Sequence, residues 1–343
     1  MLISTKACKC LCLATSILSS IISYGNEHAA ALQSQAGIVE SFHGKPRVFV
    51  LTDIGNEPDD QMSMTRFLLY SNEFDIEGLV ATTSTWQRNK ISADIIHRVL
   101  SNYGKIRSNL AKHADGFPSL EYLSALVKPG QPAYGMAVVG DTKMSPGAGL
   151  LVEEVDRNDP RPVYVSIWGG ANTLAQALWH VRETRGPEEV RVFISKLRVY
   201  SISDQDDAGH WIRREFPELF YIVNPSTQDG EEYRSATWTG ISGDKYYRNA
   251  PGADFTTVSN SWLDEHVRNK GSLGETYPQY LFIMEGDTPA FFGLIDNGLA
   301  SYRNPGWGGW GGATSSDSPR ESHGLYGLKE EIVSREAQTL EIP

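Results

Sequence analysis

Residues 48–60 read Val48-Phe49-Val50-Leu51-Thr52-Asp53-Ile54-Gly55-Asn56-Glu57-Pro58-Asp59-Asp60, and this stretch decides how the rest of the chain is read. It opens as a short apolar run, the pattern of a strand covered on both faces. Gly55 and Pro58 break the run, and a helical pattern starts at Asp59. Asp53 is thereby placed at the carboxyl end of a strand, with Asp59 and Asp60 at the start of the following helix. Open parallel sheets bind ligands in the crevice beyond those strand ends. Carboxylates gathered there repel one another and are costly to desolvate. A hard cation relieves both problems, and carboxylate oxygens suit Ca2+. Helix capping is the competing reading, but one cap accounts for one aspartate and leaves the others and Glu57 unexplained.

The same strand–loop–helix grammar recurs along the chain. Met62, Met64, Phe67, Leu68 and Leu69 give an apolar helix. Ile76–Ala81 reads as the next parallel strand, ending at Thr82–Trp86. Ile91, Ile95, Ile96, Val99 and Leu100 share one helical face, with His97 off it. Pro162–Ile167 is a third strand, passing through Trp168-Gly169-Gly170-Ala171-Asn172-Thr173 into a helix over Leu174–Arg185. Two glycines at such a junction let the backbone approach a ligand closely. Pro187-Glu188-Glu189 looks like a helix start, and the Val-Arg-Val-Phe-Ile after it is assigned to that helix rather than to a strand. Leu197–Ile202 is a strand that delivers Ser203-Asp204-Gln205-Asp206-Asp207, and Leu219–Val223 is another short apolar run. Tyr280–Met284 reads as a last strand, ending in Glu285-Gly286-Asp287-Thr288-Pro289, where Pro289 opens a helix and Asp287 is either its cap or a ligand. The pattern is that of an α/β fold, Rossmann-like, with a mostly parallel central sheet flanked by helices.

Tyr103–Gly149 and Asn224–Gly274 look like loops with short helices; His113 and Asp115 lie in the first of them, as loop polarity or substrate contacts. Trp307-Gly308-Gly309-Trp310, near Tyr302, offers rings that stack on sugars or pack in a core. The net charge of −11 over 343 residues argues against a nucleic-acid polymer or an anionic membrane as partner. Residues 1–31, with Lys6 and Lys9 ahead of the weakly apolar run Cys10–Tyr24, read as a secretory signal. Cys8, Cys10 and Cys12 all fall inside it, so the mature chain is expected to carry no thiol or disulfide and no membrane span. The expected layout is a signal over 1–31, a linker over 32–44, one domain over 45–315 and a tail over 316–343. Self-association is left open.

The stretches TDIGNEPDDQMS (52–63), WGGANTLAQAL (168–178), SISDQDD (201–207) and EGDTP (285–289) together resemble the nucleoside hydrolase superfamily. The chain is most similar to the secreted nucleoside-hydrolase-like domain of cellulose-binding-type bacterial proteins. The resemblance implies a Ca2+ at the carboxyl edge of the sheet. Its ligands would be Asp53, Asp59, Asp60, Asp287 and the backbone carbonyl of Trp168, with Asp53 also activating water. Asn172 and the cluster Asp204, Gln205, Asp206 and Asp207 fall where the family binds sugar hydroxyls. Asn56, Glu57 and Trp86 are further substrate-binding candidates. Leu51 stands where the family usually has another Asp, and Gly286 where many nucleoside hydrolases place the His that protonates the leaving base. Glu285 is the candidate for the missing acid. These departures point to a carbohydrate substrate before a nucleoside. The expected activity is Ca2+-dependent hydrolysis of an N- or O-glycosidic bond; a non-catalytic polysaccharide-binding protein is the alternative. A phosphatase fits less well, since no Asp-x-Asp spacing occurs at Asp53.

Overall fold

The computed structural model describes residues 43–226, 240–241, 256–279, 283–296, 303–304, 309–311, 313–316 and 328–331. The expected signal, the linker up to Phe42, Tyr302 and Trp307 lie outside them, as does Tyr280–Phe282 of the last expected strand.

In chain order the elements are β1 (Arg47–Thr52), α1 (Asp59–Leu69), β2 (Asp75–Ala81), α2 (Ala93–Leu110), α3 (Leu120–Ala125), β3 (Val127–Pro129), α4 (Pro146–Asp156) and β4 (Val163–Ile167). Then come α5 (Asn172–Thr184), α6 (Pro187–Ser195), β5 (Leu197–Ser201), α7 (Ala208–Glu215), β6 (Phe220–Ile222), α8 (Asn260–His266), α9 (Pro289–Phe292), β7 (Ala313–Ser316) and β8 (Leu328–Glu331). The sheet runs β3-β2-β1-β4-β5-β6-β8-β7. Strands β1 to β6 are parallel throughout. β8 joins β6 through Ile222↔Leu328, and β7 pairs antiparallel with β8. The chain reverses its direction of winding between β1 and β4. That is the topological switch point, where a crevice opens beyond the strand ends.

All six residues of β1 are buried. Side chains alternate across a strand, so Phe49 and Leu51 enter one core with α4, α5 and α6, while Val48 and Val50 enter another with α1 and α2. This two-sided cover is why the run carries no polar alternation. Trp168 is fully buried in the second core. Its ring lies 6.2 Å from that of Phe67 and 5.7 Å from that of Phe291, and its indole N–H donates to Ser166 Oγ at 2.9 Å.

The amino-terminal rim of the sheet is held by opposite charges. Arg47, 1% exposed, donates to Glu77 Oε1 at 2.7 Å and to the Glu154 carbonyl at 2.8 Å. Arg157 reaches both Glu77 oxygens at 3.0 Å, and Arg161 reaches Asp75 at 2.6 Å.

The assignment of 190–194 to a helix holds, as part of α6. Two elements depart from expectation in the stretch read as loops with short helices. β3 is a strand of three residues, too short to show a period, which adds to the β2 edge. α2 also runs on to Leu110. At the last expected strand, the described residues Ile283 and Met284 are not in strand conformation. Among the described residues no helix is long and apolar enough to cross a membrane.

Candidate functional site

The site is assembled at the switch point from the ends of β1, β4 and β5, the start of α1 and the turn before α9. Asp53 follows β1 and is 4% exposed. Asp59 and Asp60 occupy the first turn of α1, and neither caps it: Pro58 takes the N-cap position and no side-chain cap bond forms. Asp287 is no cap either, because Thr288 holds that position before α9 and makes no side-chain cap bond. The competing capping readings therefore fail on geometry. Instead, one carboxylate oxygen from each of Asp59, Asp60 and Asp287 lies within 4.8 Å of the others, and all three residues are buried. Asp53, Glu57, Asp59, Asp60 and Asp287 line one small cleft with Trp86, Ile202, Gln205, Ile283 and Gly286.

Electrostatics report the crowding. Burial, with Glu57 nearby and against a hydrogen bond from Ser84, pushes the Asp53 carboxyl up to about 6. Burial and then the charges of Glu57 and Asp53 push Asp59 to about 8. Asp60 and Asp287 rise well above the ordinary carboxylate range, by burial first and by the neighbouring aspartates second. Glu57 is raised by burial. The unmet demand is also visible atom by atom: Asp53 Oδ1, Asp59 Oδ1, Asp287 Oδ2 and Gln205 Oε1 are buried without a hydrogen-bond partner. Buried polar atoms are rarely left so. Converging carboxylate oxygens with open lone pairs are the donor set of a hard divalent cation, so these residues fit Ca2+.

The supporting residues are ones the sequence reading missed. The Thr52 hydroxyl donates to Asp60 Oδ1 and accepts the Ile54 amide at 3.1 Å. Gln87 Nε2 donates to the Asp53 carbonyl at 2.9 Å. Thr52 adjoins Asp53 in sequence, which is a local signal; Gln87 carries none. Gly169 and Gly170 do permit close approach, but to the protein's own carboxylates. A Cβ on Gly169 would lie 2.7 Å from Asp53 Oδ1, and one on Gly170 2.5 Å from Asp206 Oδ2. Gly286 is similarly confined, since a Cβ there would lie 2.5 Å from Asp59 Oδ2. A side chain at that position would have to displace the Asp59 carboxylate.

The substrate-binding candidates separate into two groups. Glu57, Trp86 and Gln205 line the cleft, Trp86 being 50% exposed. Gln205 Nε2 donates to the Trp168 carbonyl, which keeps a second lone pair. Asn56 is exposed beside the cleft. Asp204 instead forms a buried two-pronged pair with Arg213, at 2.7 and 2.8 Å, and accepts the Ser226 amide at 3.1 Å. Both its oxygens serve the fold. Asn172 is fully buried, with Nδ2 donating to Thr83 Oγ1 at 3.1 Å and the Ala133 carbonyl at 2.7 Å. Asp206 accepts the amides of Asn172 at 3.1 Å and Ala208 at 3.0 Å, and burial pushes it to about 7. Asp207 is exposed and accepts the Met136 amide at 2.8 Å. None of these four lines the cleft. Glu285, the candidate acid, also lies outside the cleft lining. It is 1% exposed, and its oxygens are taken by Arg66, Tyr277 and Thr288. Both of its oxygens are engaged by Arg66, and the side chain does not face the cleft where an acid would act. His113 and Asp115 are exposed and do not line the cleft. Trp310 is 39% exposed.

Residues 47–313 match the family described as cellulose-binding Sde182, nucleoside hydrolase-like domain. The chain belongs to that family. A solved member of the wider group, a nucleoside hydrolase-related hypothetical protein from Saccharophagus degradans associated with carbohydrate metabolism, is 36% identical. The likeness covers 87% of this chain and 69% of that one, with a TM-score of 0.71. The nucleoside hydrolase-like fold of the Sde182 family thus accounts for the parallel sheet flanked by helices. The type III effector XopQ, solved with adenosine diphosphate ribose, is 12% identical over 91% of this chain and 96% of its own, at a TM-score of 0.39. No curated protein matches the sequence.

Proposed function

We propose that this protein is a secreted, Ca2+-dependent hydrolase of an N- or O-glycosidic bond, acting on a carbohydrate. The observation that carries the reading is the convergence of Asp59, Asp60 and Asp287 within 4.8 Å, buried, beside an Asp53 whose Oδ1 has no partner. Asp53, Asp59, Asp60, Asp287 and the Trp168 carbonyl would hold the ion. Ca2+ in that position supplies fixed positive charge that orients hydroxyl groups and makes water easier to deprotonate. Asp53 takes the proton from the attacking water on its open Oδ1, a general-base role. The cleft carboxylates offset positive charge developing on the sugar ring as the glycosidic bond breaks. Gln205 Oε1, also unpartnered, accepts from a sugar hydroxyl. Trp86 gives the ring a face to stack on at the mouth, with Glu57 and Asn56 alongside. Gly286 supplies no side chain where many nucleoside hydrolases place a histidine acid for the nucleobase, which favours a carbohydrate over a nucleoside.

The test is product analysis with purified protein and Ca2+ on nucleosides and on a panel of cello- and other plant oligosaccharides. Hydrolysis that is abolished in Asp53→Asn, with the fold retained, supports the proposal. Full activity in that variant on the true substrate refutes the assignment of the base. A second reading, a polysaccharide-binding protein without turnover, is favoured by the family's cellulose-binding description and by half-exposed Trp86. Binding to cellulose in the presence of Ca2+, with no sugar released, would select it.

A further inference from the structure

The cation ligands come from two segments far apart in sequence: Asp59 and Asp60 on α1, and Asp287 in the turn before α9. Like charges drive these segments apart, so something else must hold them together. Glu285 lies two residues before Asp287 and has φ +56°, a left-handed backbone conformation that is costly for a residue with a Cβ. Its carboxylate is buried and points back to α1, the helix that carries the ligand pair. Arg66, on that helix, donates through Nε to Oε2 and through Nη2 to Oε1 at 2.8 Å. The Tyr277 hydroxyl donates to Oε1 at 2.7 Å, and Thr288 Oγ1 lies 3.3 Å from Oε2. Thr288 also donates to Ser63 Oγ on α1 at 3.1 Å. Between these anchors Gly286 lies close to Asp59, since a Cβ built there would sit 2.5 Å from Asp59 Oδ2.

We propose that Arg66 and Glu285 form a clasp that positions Asp287 against Asp59 and Asp60, and so sets the affinity of the cation site. The clasp rests on the Ca2+ reading given above. Arg66 and Glu285 are positioning residues that touch neither ion nor substrate. The strained backbone at Glu285 is held by a two-pronged charge-assisted pair, and the turn that results aims Asp287 into the cleft.

The experiment is calorimetric titration of Ca2+ into the full chain after chelator stripping, with the melting temperature of each stripped protein measured in parallel. Saturable binding is expected for the wild type, and binding about 10–100-fold weaker for Arg66→Leu, as is typical when a partner orienting metal ligands is lost. Arg66→Lys, which keeps the charge and loses the fork, should fall between them. A merely structural pair would lower the melting temperature and leave the Ca2+ affinity alone. Wild-type affinity in Arg66→Leu therefore overturns the clasp while leaving the cation site standing. If the wild type binds no Ca2+, the cation reading fails and the clasp fails with it. Should Arg66→Leu not fold, Tyr277→Phe removes one hydroxyl from the same carboxylate. Weakened binding in that variant supports the clasp, and unchanged binding overturns it.

Discussion

Without a cation, the buried aspartates weaken the fold at neutral pH, and Asp53→Asn measures by how much. The Asp53 carboxyl stands near 3.8 when unfolded and at about 6 in the folded chain. Below pH 4 it is protonated in both states and costs nothing. Between pH 4 and 6 the unfolded chain releases the proton and the folded chain keeps it, so stability falls as pH rises. Above pH 6 both are ionised and the penalty is constant. A gap of about two pH units corresponds to ~3 kcal/mol. Asparagine has the same shape and can still accept from Ser84, so in chelator at pH 7.5 the variant should be more stable by up to about 3 kcal/mol. That is a rise of roughly 5 °C in melting temperature. At pH 4 the difference should vanish. Urea denaturation in chelator at the two pH values reads it directly. Saturating Ca2+ should reverse the order, because the ion stabilises the wild type by mass action and binds the variant less well. A variant no more stable than wild type at pH 7.5, or one whose advantage persists unchanged at pH 4, would refute the account of Asp53 as a carboxylate under desolvation strain.

Two further outcomes follow from the cleft. Gly286→Ala places a methyl group 2.5 Å from Asp59 Oδ2 and 2.9 Å from Ile283 Cγ2; a loss of about 1–3 kcal/mol in stability is expected, with weaker Ca2+ binding by calorimetry. Trp86→Ala removes a half-exposed ring at the mouth of the cleft. It should weaken oligosaccharide binding about 3- to 10-fold, the scale of one aromatic contact, as measured by titration with a cello-oligosaccharide.

The fold was legible where sequence and burial carry one message. Val48–Leu51 reads as a doubly covered strand because both of its faces meet helices. The helix at Pro187 was legible from its proline and paired glutamates in the first turn. β3 was not, because three residues show no period and its pairing with β2 is a long-range fact. At the site, the carboxylates were legible as residue types at strand ends, but their partners were not. Asp204 and Glu285 look in sequence much like Asp53 and Asp287. What separates them is an arginine, Arg213 nine residues away in one case and Arg66 on a distant helix in the other. A carboxylate's job depends on whether a cation is already built beside it, and that is a property of packing.

The two ends of the parallel sheet are electrically unlike. At its foot, Arg47, Arg157 and Arg161 neutralise Glu77, Glu154 and Asp75 inside the chain itself. At its head, Asp59, Asp60 and Asp287 converge, buried, and on the proposed reading a bound cation supplies their counter-charge. Chelation should therefore loosen the molecule from one end only, with amide exchange quickening around Asp53 and Asp59 while the strands near Arg47 keep their protection. Calcium in the surroundings would then act as an external tether, tightening the business end on arrival and leaving the scaffold beneath it indifferent.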